Sequence, residues 1–183
     1  LCLVACGGGG GDSVPAPASA ALPAVAVPIP AATYPAGSAE LGAWTVLQQA
    51  RVLCGFGALT QDTRLDAAAL SHARYLTSIS LASGESELSH FQYVTSDPFY
   101  TGNEPWYRTE YQGYGTQVAE ILEATVWDYD INNPPVFPSL QTRGERSMLS
   151  LLNTVYHLTG ALFEGADVGM GADLQTYAKG VTL

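Results

Sequence analysis

Apolar residues recur three and four positions apart in three stretches of the chain, over residues 38–53, 62–79 and 143–162. This spacing puts the apolar side chains on one face of a helix, so it predicts three amphipathic helices with buried faces. Ser38 and Asp62 are residue types that cap helix N-termini, and they stand where the first two helices should begin.

Shorter patterns predict one more helix and two strands. Three apolar positions at helical spacing predict a helix over residues 116–126. Residues 168–171 alternate apolar side chains with glycine, which is typical of an inner strand that another backbone approaches closely. Residues 177–181 resemble the start of a second strand that is cut short. We therefore expect the sequence to be truncated at its C-terminus.

The overall charge limits the classes of partner. The 183 residues include 7 basic and 17 acidic side chains, which gives a net charge of -10. A chain this acidic repels a phosphate backbone, so nucleic acid is not an expected partner. No stretch after residue 30 is apolar over the roughly 18 residues that a membrane-spanning helix needs.

The N-terminus predicts a membrane anchor of a different kind. Leu3-Val4-Ala5-Cys6 resembles the lipobox of bacterial lipoproteins, in which cleavage before the cysteine precedes attachment of lipid to it. Residues 1–6 are then a signal-peptide remnant, and lipid on Cys6 is the contact with the membrane. The alternative is an ordinary secretory signal with an incidental cysteine. The expected location is extracytoplasmic, lipid-anchored to the bacterial cell envelope.

A spacer follows this anchor. Residues 7–37 consist largely of glycine, alanine, proline, serine and valine. Proline denies a helix or a sheet its backbone donor, so the segment is predicted to be a semi-rigid, polyproline-like linker without a core. The folded domain is therefore predicted to cover residues 38–183.

The candidate chemistry lies in the histidines and in a long loop. His72 falls on the buried face of the second helix and is predicted to be a core or rim histidine with satisfied polar atoms rather than a ligand. His157 lies among apolar positions of the last helix, so it also needs a partner or a cavity. Residues 83–115 form a loop that contains His90 and many aromatic residues. These rings either fasten the loop to the core or form a recognition surface.

Several motifs, taken in order, resemble the CAP superfamily, also called the SCP/PR-1-like or cysteine-rich secretory protein family, and in particular its bacterial branch. The resemblance covers most of residues 38–183 and implies an α+β fold, a three-layer α-β-α sandwich with a short antiparallel sheet. The matching pieces are Gly57-Ala58-Leu59-Thr60-Gln61-Asp62 followed by Leu65, Ala68 and Ala69, then Ser89-His90, Gly113-Tyr114, Ala119-Glu120-Ile121, Tyr156-His157 and Val168-Gly169-Met170-Gly171.

The same resemblance implies a central cleft lined by His90, Glu120 and His157, which in some family members binds a divalent metal. Departures from the family motifs weaken this expectation. Ala119 and Ile121 flank Glu120 where the family has Gly and Asn, and Leu158 replaces an Arg. No fourth ligand is evident unless one comes from the later acidic residues Asp128, Asp130 and Glu145.

The chemistry of the three residues leaves several functions open. Two imidazoles and a carboxylate suit a Zn-like ion or another ligand. In the alternative, the three residues form a purely hydrogen-bonded cluster, in which the carboxylate fixes the tautomers of the imidazoles and no metal is bound. The first hypothesis is a membrane-tethered binding module of the cell envelope. The alternative is an envelope hydrolase on peptide or peptidoglycan with Glu120 as general base. An activated nucleophile is not apparent, because adjacency of Ser89 to His90 does not put a hydroxyl on an imidazole nitrogen.

Overall fold

Five helices and one short pair of parallel strands form the described part of the chain. The structure is a computed structural model that describes residues 28–130 and 132–175. The elements in chain order are α1 (Ala39–Leu53), β1 (Thr60–Gln61), α2 (Thr63–Ser83), α3 (Pro105–Tyr111), α4 (Leu140–Leu152), α5 (Val155–Ala161) and β2 (Asp167–Val168). In the strand pair, Thr60 lies opposite Asp167 and Gln61 lies opposite Val168.

The first two helices begin at the predicted caps. The Ser38 hydroxyl accepts a hydrogen bond from the Leu41 amide at 3.1 Å, and the Asp62 carboxylate accepts one from the Arg64 amide at 2.8 Å. Each bond satisfies a backbone donor that a helix N-terminus leaves without a partner. Both predicted caps are confirmed.

The core forms where α1 crosses α4. Leu47, Leu59, Met148 and Ala161 are its buried members. The two helices approach closely because glycine faces backbone at the crossing. A Cβ atom on Gly144 would overlap the backbone of Ala39, and one on Gly42 would overlap the backbone of Gln141. The small residues therefore determine how near the two helix axes lie.

Two polar side chains of α1 hold the surrounding loops in the core. The Gln48 amide donates to the Leu59 carbonyl at 2.7 Å and accepts from the Leu59 amide at 2.9 Å. The Arg51 guanidinium donates to the carbonyls of Ala161 and Phe163 at 2.8 and 3.1 Å. Buried polar groups are tolerated only when they are paired in this way. The residues before β1 and after α5 are thereby attached to α1.

The predicted fold class is wrong. The described residues are mostly helical, and their only sheet is a two-stranded parallel one rather than the antiparallel sheet of an α-β-α sandwich. The predicted inner strand is shorter than expected, because ladder pairing reaches only Val168. Gly169 and Gly171 then lie directly against the backbone of α2, where a Cβ atom would overlap it. Close contact with a helix replaces strand pairing at these glycines.

The predicted helix over residues 116–126 is also wrong. The chain there is extended, without helical hydrogen bonds. Gly113 and Gly115 precede it with φ of +77° and +153°, values that only glycine adopts easily. The β-branched and aromatic residues Thr125, Val126 and Trp127 also favour extended backbone over helix. Three apolar positions were too few to indicate a helix.

The predicted helix over residues 143–162 is two helices. Asn153 ends α4, and Thr154 precedes α5. The Thr154 hydroxyl bonds back to the Leu151 carbonyl at 3.0 Å, a local bond that competes with a continuous helix. The break changes the direction of the chain at the end of α4.

The predictions at the two ends of the chain fall mainly on residues that the structure does not describe. Cys6, the lipobox and most of the linker precede residue 28, and the strand predicted over residues 177–181 follows residue 175. The last part of the predicted linker contacts the domain, because the Tyr34 hydroxyl donates to Asp66 at 2.6 Å. Within residues 28–130 and 132–175, no helix combines the length and the apolar character needed to cross a membrane.

We expect Gly144→Ala to destabilise the protein, although alanine favours helices. Away from such a contact, alanine in place of helical glycine stabilises by roughly 0.5–1 kcal/mol. Overlap with the backbone of Ala39 should reverse the sign, with a cost of about 1–3 kcal/mol. Urea unfolding would measure the change. Gly57→Ala is the matched control, because no atom lies within 4 Å of its Cβ position, and equal behaviour of the two variants would contradict the proposed crossing.

Candidate functional site

The candidate site forms where a long loop, a short helix and the extended segment meet α2. His72 projects from the buried face of α2, together with Ala68 and Tyr75. Gly84 ends α2 with φ of +74° and starts the loop that contains His90. Arg108 comes from α3, and Glu120 comes from the extended segment that follows.

Arg108 and Glu120 form the central ion pair. One guanidinium nitrogen of Arg108, Nη2, lies 2.7 Å from each carboxylate oxygen of Glu120. The other, Nη1, donates to the carbonyls of His90 and Asn103 at 3.0 and 3.3 Å. The Arg108 side chain is only 1% exposed and that of Glu120 is 18% exposed. The guanidinium therefore joins the loop, α3 and the extended segment at one buried point.

Glu120 also binds His90. The Nδ1 atom of His90 lies 2.9 Å from Glu120 Oε1. An ionised carboxylate only accepts hydrogen bonds, so Nδ1 carries the proton and donates it. In the neutral ring Nε2 is then the acceptor. The His90 side chain is 44% exposed, and no described residue bonds to Nε2. This nitrogen is available to a ligand.

His72 has a different tautomer and no free nitrogen. The Gln92 carbonyl oxygen accepts from the Thr101 amide at 2.9 Å, so the Gln92 amino group is the one that donates to His72 Nδ1, at 3.1 Å. Nε2 of His72 therefore carries the proton and donates it to the Ser89 carbonyl at 2.9 Å. His72 is the satisfied core histidine that the sequence predicted, and it attaches the His90 loop to α2.

Burial determines the ionisation of His72, and hydrogen bonding and charge determine that of Glu120. Burial lowers the pKa of His72 from 6.5 to about 4, an effect that the nearby carboxylate of Glu120 only partly offsets. Burial alone would raise the pKa of Glu120, but the hydrogen bond from His90 and the charge of Arg108 outweigh it, so the pKa is lowered. At neutral pH the site therefore combines a neutral His72 with an ionised Glu120.

His157 lies apart from this cluster. Its Nδ1 atom is 2.7 Å from the hydroxyl of Thr154, the residue that precedes α5, and none of its described contacts reaches His90 or Glu120. The prediction brought three residues together, and the structure joins two of them. The helix break before α5 explains the difference, because the prediction assumed one continuous buried face over residues 143–162.

Three of the other residues considered for the site, Ser89, Asp130 and Glu145, have local partners. The Ser89 hydroxyl accepts from the Phe91 amide at 3.0 Å, so it is not placed on an imidazole. Asp130 accepts from Asn132, and Glu145 accepts from Gln141. Neither carboxylate takes part in the His90 cluster.

The donors do not fit a zinc centre in this conformation. Among the described residues, no group of three or more His, Cys, Asp or Glu side chains is arranged to hold a metal ion. His72 uses both nitrogens, and Glu120 binds Arg108 and His90 with its carboxylate. Only the free nitrogen of His90 remains, whereas catalytic zinc sites have three protein ligands. The Zn-like ion stays a prediction that a titration can test.

Arg108 and Gln92 were missed from the sequence. Gln92 is 1% exposed although it lies in a loop where polar residues usually face solvent. The aromatic residues of that loop were expected either to fasten it to the core or to form a recognition surface. Three of them, Tyr93, Trp106 and Tyr111, are exposed. The loop is fastened mainly by polar contacts. The one indication in the sequence was the composition. With 7 basic residues among 17 acidic ones, each arginine, Arg108 included, has carboxylates available as specific partners.

Comparison with protein-family models, with curated proteins and with solved structures found no match to this chain. A functional proposal therefore depends on the geometry of the site and on the sequence motifs.

We expect stability to fall as the pH falls from about 6.5 to about 4. The lowered pKa of His72 means that the unfolded chain takes up a proton in this range while the folded protein does not. The difference amounts to roughly 3 kcal/mol at the acid end. Below the ordinary Glu range, the lowered pKa of Glu120 acts in the same direction.

Urea-unfolding free energies at a series of pH values would measure this slope. His157→Gln is the control and should keep the slope, because the hydrogen bond of His157 among the described residues is a local one to Thr154. A flat profile between pH 6.5 and 4 would show that His72 is not buried as a neutral ring.

Proposed function

We propose that this chain is a lipid-anchored binding protein of the bacterial cell envelope that holds its ligand at His90. The lipobox-like residues Leu3-Val4-Ala5-Cys6 and the proline-rich spacer support the anchored location. The net charge of -10 supports an envelope ligand other than nucleic acid. The tether would keep the domain near the membrane surface.

The observation that carries the proposal is the orientation of His90. The 2.9 Å contact with Glu120 holds the Nδ1 proton inward, and Nε2 is left as an outward acceptor. Arg108 holds Glu120 in turn through both carboxylate oxygens. A ring fixed in this way loses little freedom when a ligand binds, which is the advantage of a preformed site.

Aromatic side chains next to His90 support recognition of a partly polar ligand. The rings of Phe91 and Tyr93 stack with centroids 5.9 Å apart and are 39% and 70% exposed. Exposed aromatic rings near a directed polar group are typical of binding surfaces. His90 Nε2 would accept a hydrogen bond while the rings contact an apolar part of the ligand.

A relation to the CAP superfamily is part of this proposal. It is supported by the convergence of His90 and Glu120, two of the residues through which the sequence resembles that family. The separate position of His157 and the mostly helical fold count against it. The binding role of His90 does not require the relation, because it follows from the orientation of the ring.

A hydrolase is the second candidate, with a changed assignment of roles. Glu120 is a poor general base because its pKa is lowered and its carboxylate binds Arg108. His90 would be the base instead, since an imidazole oriented by a carboxylate is a common general-base arrangement. Release of soluble fragments from peptidoglycan by wild type, and none by His90→Ala, would favour this candidate over simple binding.

The binding proposal can be tested by cosedimentation of the protein with purified peptidoglycan sacculi. We expect His90→Ala to lower the bound fraction at least tenfold at limiting sacculi, because the directed acceptor is lost. His157→Ala is the matched control and should bind like wild type. A thermal-shift titration with Zn²⁺ tests the predicted metal separately, and a shift that needs His90 would place the ion there. Equal cosedimentation of wild type and His90→Ala would overturn the proposal.

A further inference from the structure

A large cavity opens beside the site. Its volume is 1530 Å³, and its lining combines apolar residues of α1, α2 and α4 with two extended segments, residues 117–130 and 167–175. Small-molecule sites usually measure about 300–1,000 Å³. Leu47, Leu65 and Met148 are among the apolar side chains of the wall. The space is therefore suited to an occupant larger than a typical metabolite.

The two extended segments border this cavity over consecutive residues. Along an extended chain, successive side chains point to opposite faces. If only one face of a segment met the cavity, every second residue would line it. All residues from 117 to 130 and from 167 to 175 line it instead. Each segment therefore borders the open space along its whole length, and at Gly169 and Gly171 only backbone atoms can do so.

Most of these backbone groups have no partner among the described residues. To other residues in the described ranges, neither residues 117–129 nor residues 171–175 make a backbone hydrogen bond. On the second segment, the Met170 amide is held by Tyr34 and Asp66, and pairing with β1 ends at Val168. Buried backbone groups are almost always paired, whereas the exposed ones of residues 123–130 are open to water or to a partner strand. An extended edge of this length is a template for another strand.

The composition of the first segment also suits strand pairing. Residues 117–130 contain neither glycine nor proline, so every residue can donate and accept in a ladder. Val118, Thr125 and Val126 are of the β-branched type that strands favour. The extended backbone is thus compatible with regular pairing once a partner strand is present.

Charge indicates what the partner strand contains. Exposed carboxylates of Glu123 and Asp128 lie on the first segment, and Glu87 and Glu164 also border the cavity. The lining as a whole holds nine carboxylates against four arginines, Arg51, Arg108, Arg143 and Arg146, so it is net negative, and it includes the apolar side chains of α1, α2 and α4. An extended peptide that alternates apolar with basic side chains would put the apolar set against the wall and the basic set beside these carboxylates.

We propose that this cavity binds an extended segment of a partner protein, with alternating apolar and basic side chains, as an added β-strand along residues 117–130. Backbone hydrogen bonds would provide the affinity, and the apolar wall and acidic rim would provide the selectivity. A fatty acid would fill the apolar space but would leave the backbone groups unpaired. The proposal uses no atom of His90, so it can fail or succeed independently of the function proposed above.

The test uses the full chain and a capped nine-residue peptide of alternating valine and lysine. We expect saturable binding and at least tenfold slower hydrogen exchange at amides of residues 117–129 when the peptide is present. A peptide of the same sequence, N-methylated at alternate residues, keeps the side chains but loses the donors of one edge. It should bind at least tenfold more weakly.

Proline variants test the same edge on the protein. Successive residues of a strand donate to opposite edges, so Ala124→Pro and Thr125→Pro together remove one donor from each edge. At least one should weaken peptide binding tenfold or more, while the matched controls Ala124→Ser and Thr125→Ser bind like wild type. Because both residues are exposed, we expect the proline variants to keep the fold. Far-ultraviolet circular dichroism would check that they do.

Several results would overturn the proposal. Equal binding of the N-methylated peptide would show that the backbone is not recognised. Slow exchange at residues 117–129 without peptide would show that the edge is already paired within the chain. Binding of palmitate without binding of the peptide would make the cavity a lipid site. Absence of peptide binding, or no effect of either proline variant, would equally contradict it.

Discussion

The buried ion pair between Arg108 and Glu120 is the interaction on which the site depends. A guanidinium that is 1% exposed is tolerated only because its donors are used, by the carboxylate on one side and by the carbonyls of His90 and Asn103 on the other. Removing either partner would leave an unpaired buried charge, which typically costs several kcal/mol. The pair therefore determines where both the loop and the extended segment lie.

Glu120 connects the two surfaces that the structure offers for binding. Its carboxylate orients His90 toward solvent, while its backbone belongs to the extended segment that borders the large cavity. The first surface is preformed, because both partners of the carboxylate are held in place. The second contains unpaired backbone and so gains most from an added strand. A change at Glu120 would thus affect a polar site and a strand-binding site through different atoms.

The sequence predicted what local chemistry determines and missed what depends on distant contacts. Ser38 and Asp62 cap helices because their side chains reach the backbone two or three residues on, so the pattern alone identified them. His72 was predicted correctly because its apolar neighbours on α2 showed that it had to be buried. The helix expected around Glu120 was wrong because three apolar positions outweighed residues that favour extended backbone. The predicted sheet was wrong because Gly169 and Gly171 pack against α2, far away in sequence, instead of pairing in a strand. Arg108 was missed for the same reason, because its partner is in another element.

The tautomer of His90 tests the central claim most directly. Nitrogen-15 NMR of histidine-labelled protein, at a pH above the ordinary imidazole range, distinguishes a proton on Nδ1 from one on Nε2. The contact with Glu120 predicts the Nδ1–H form for His90, whereas the contact of His72 with Ser89 predicts the Nε2–H form for His72. An Nε2–H or rapidly averaging ring at His90 would contradict a Glu120 that Arg108 holds in place to orient it.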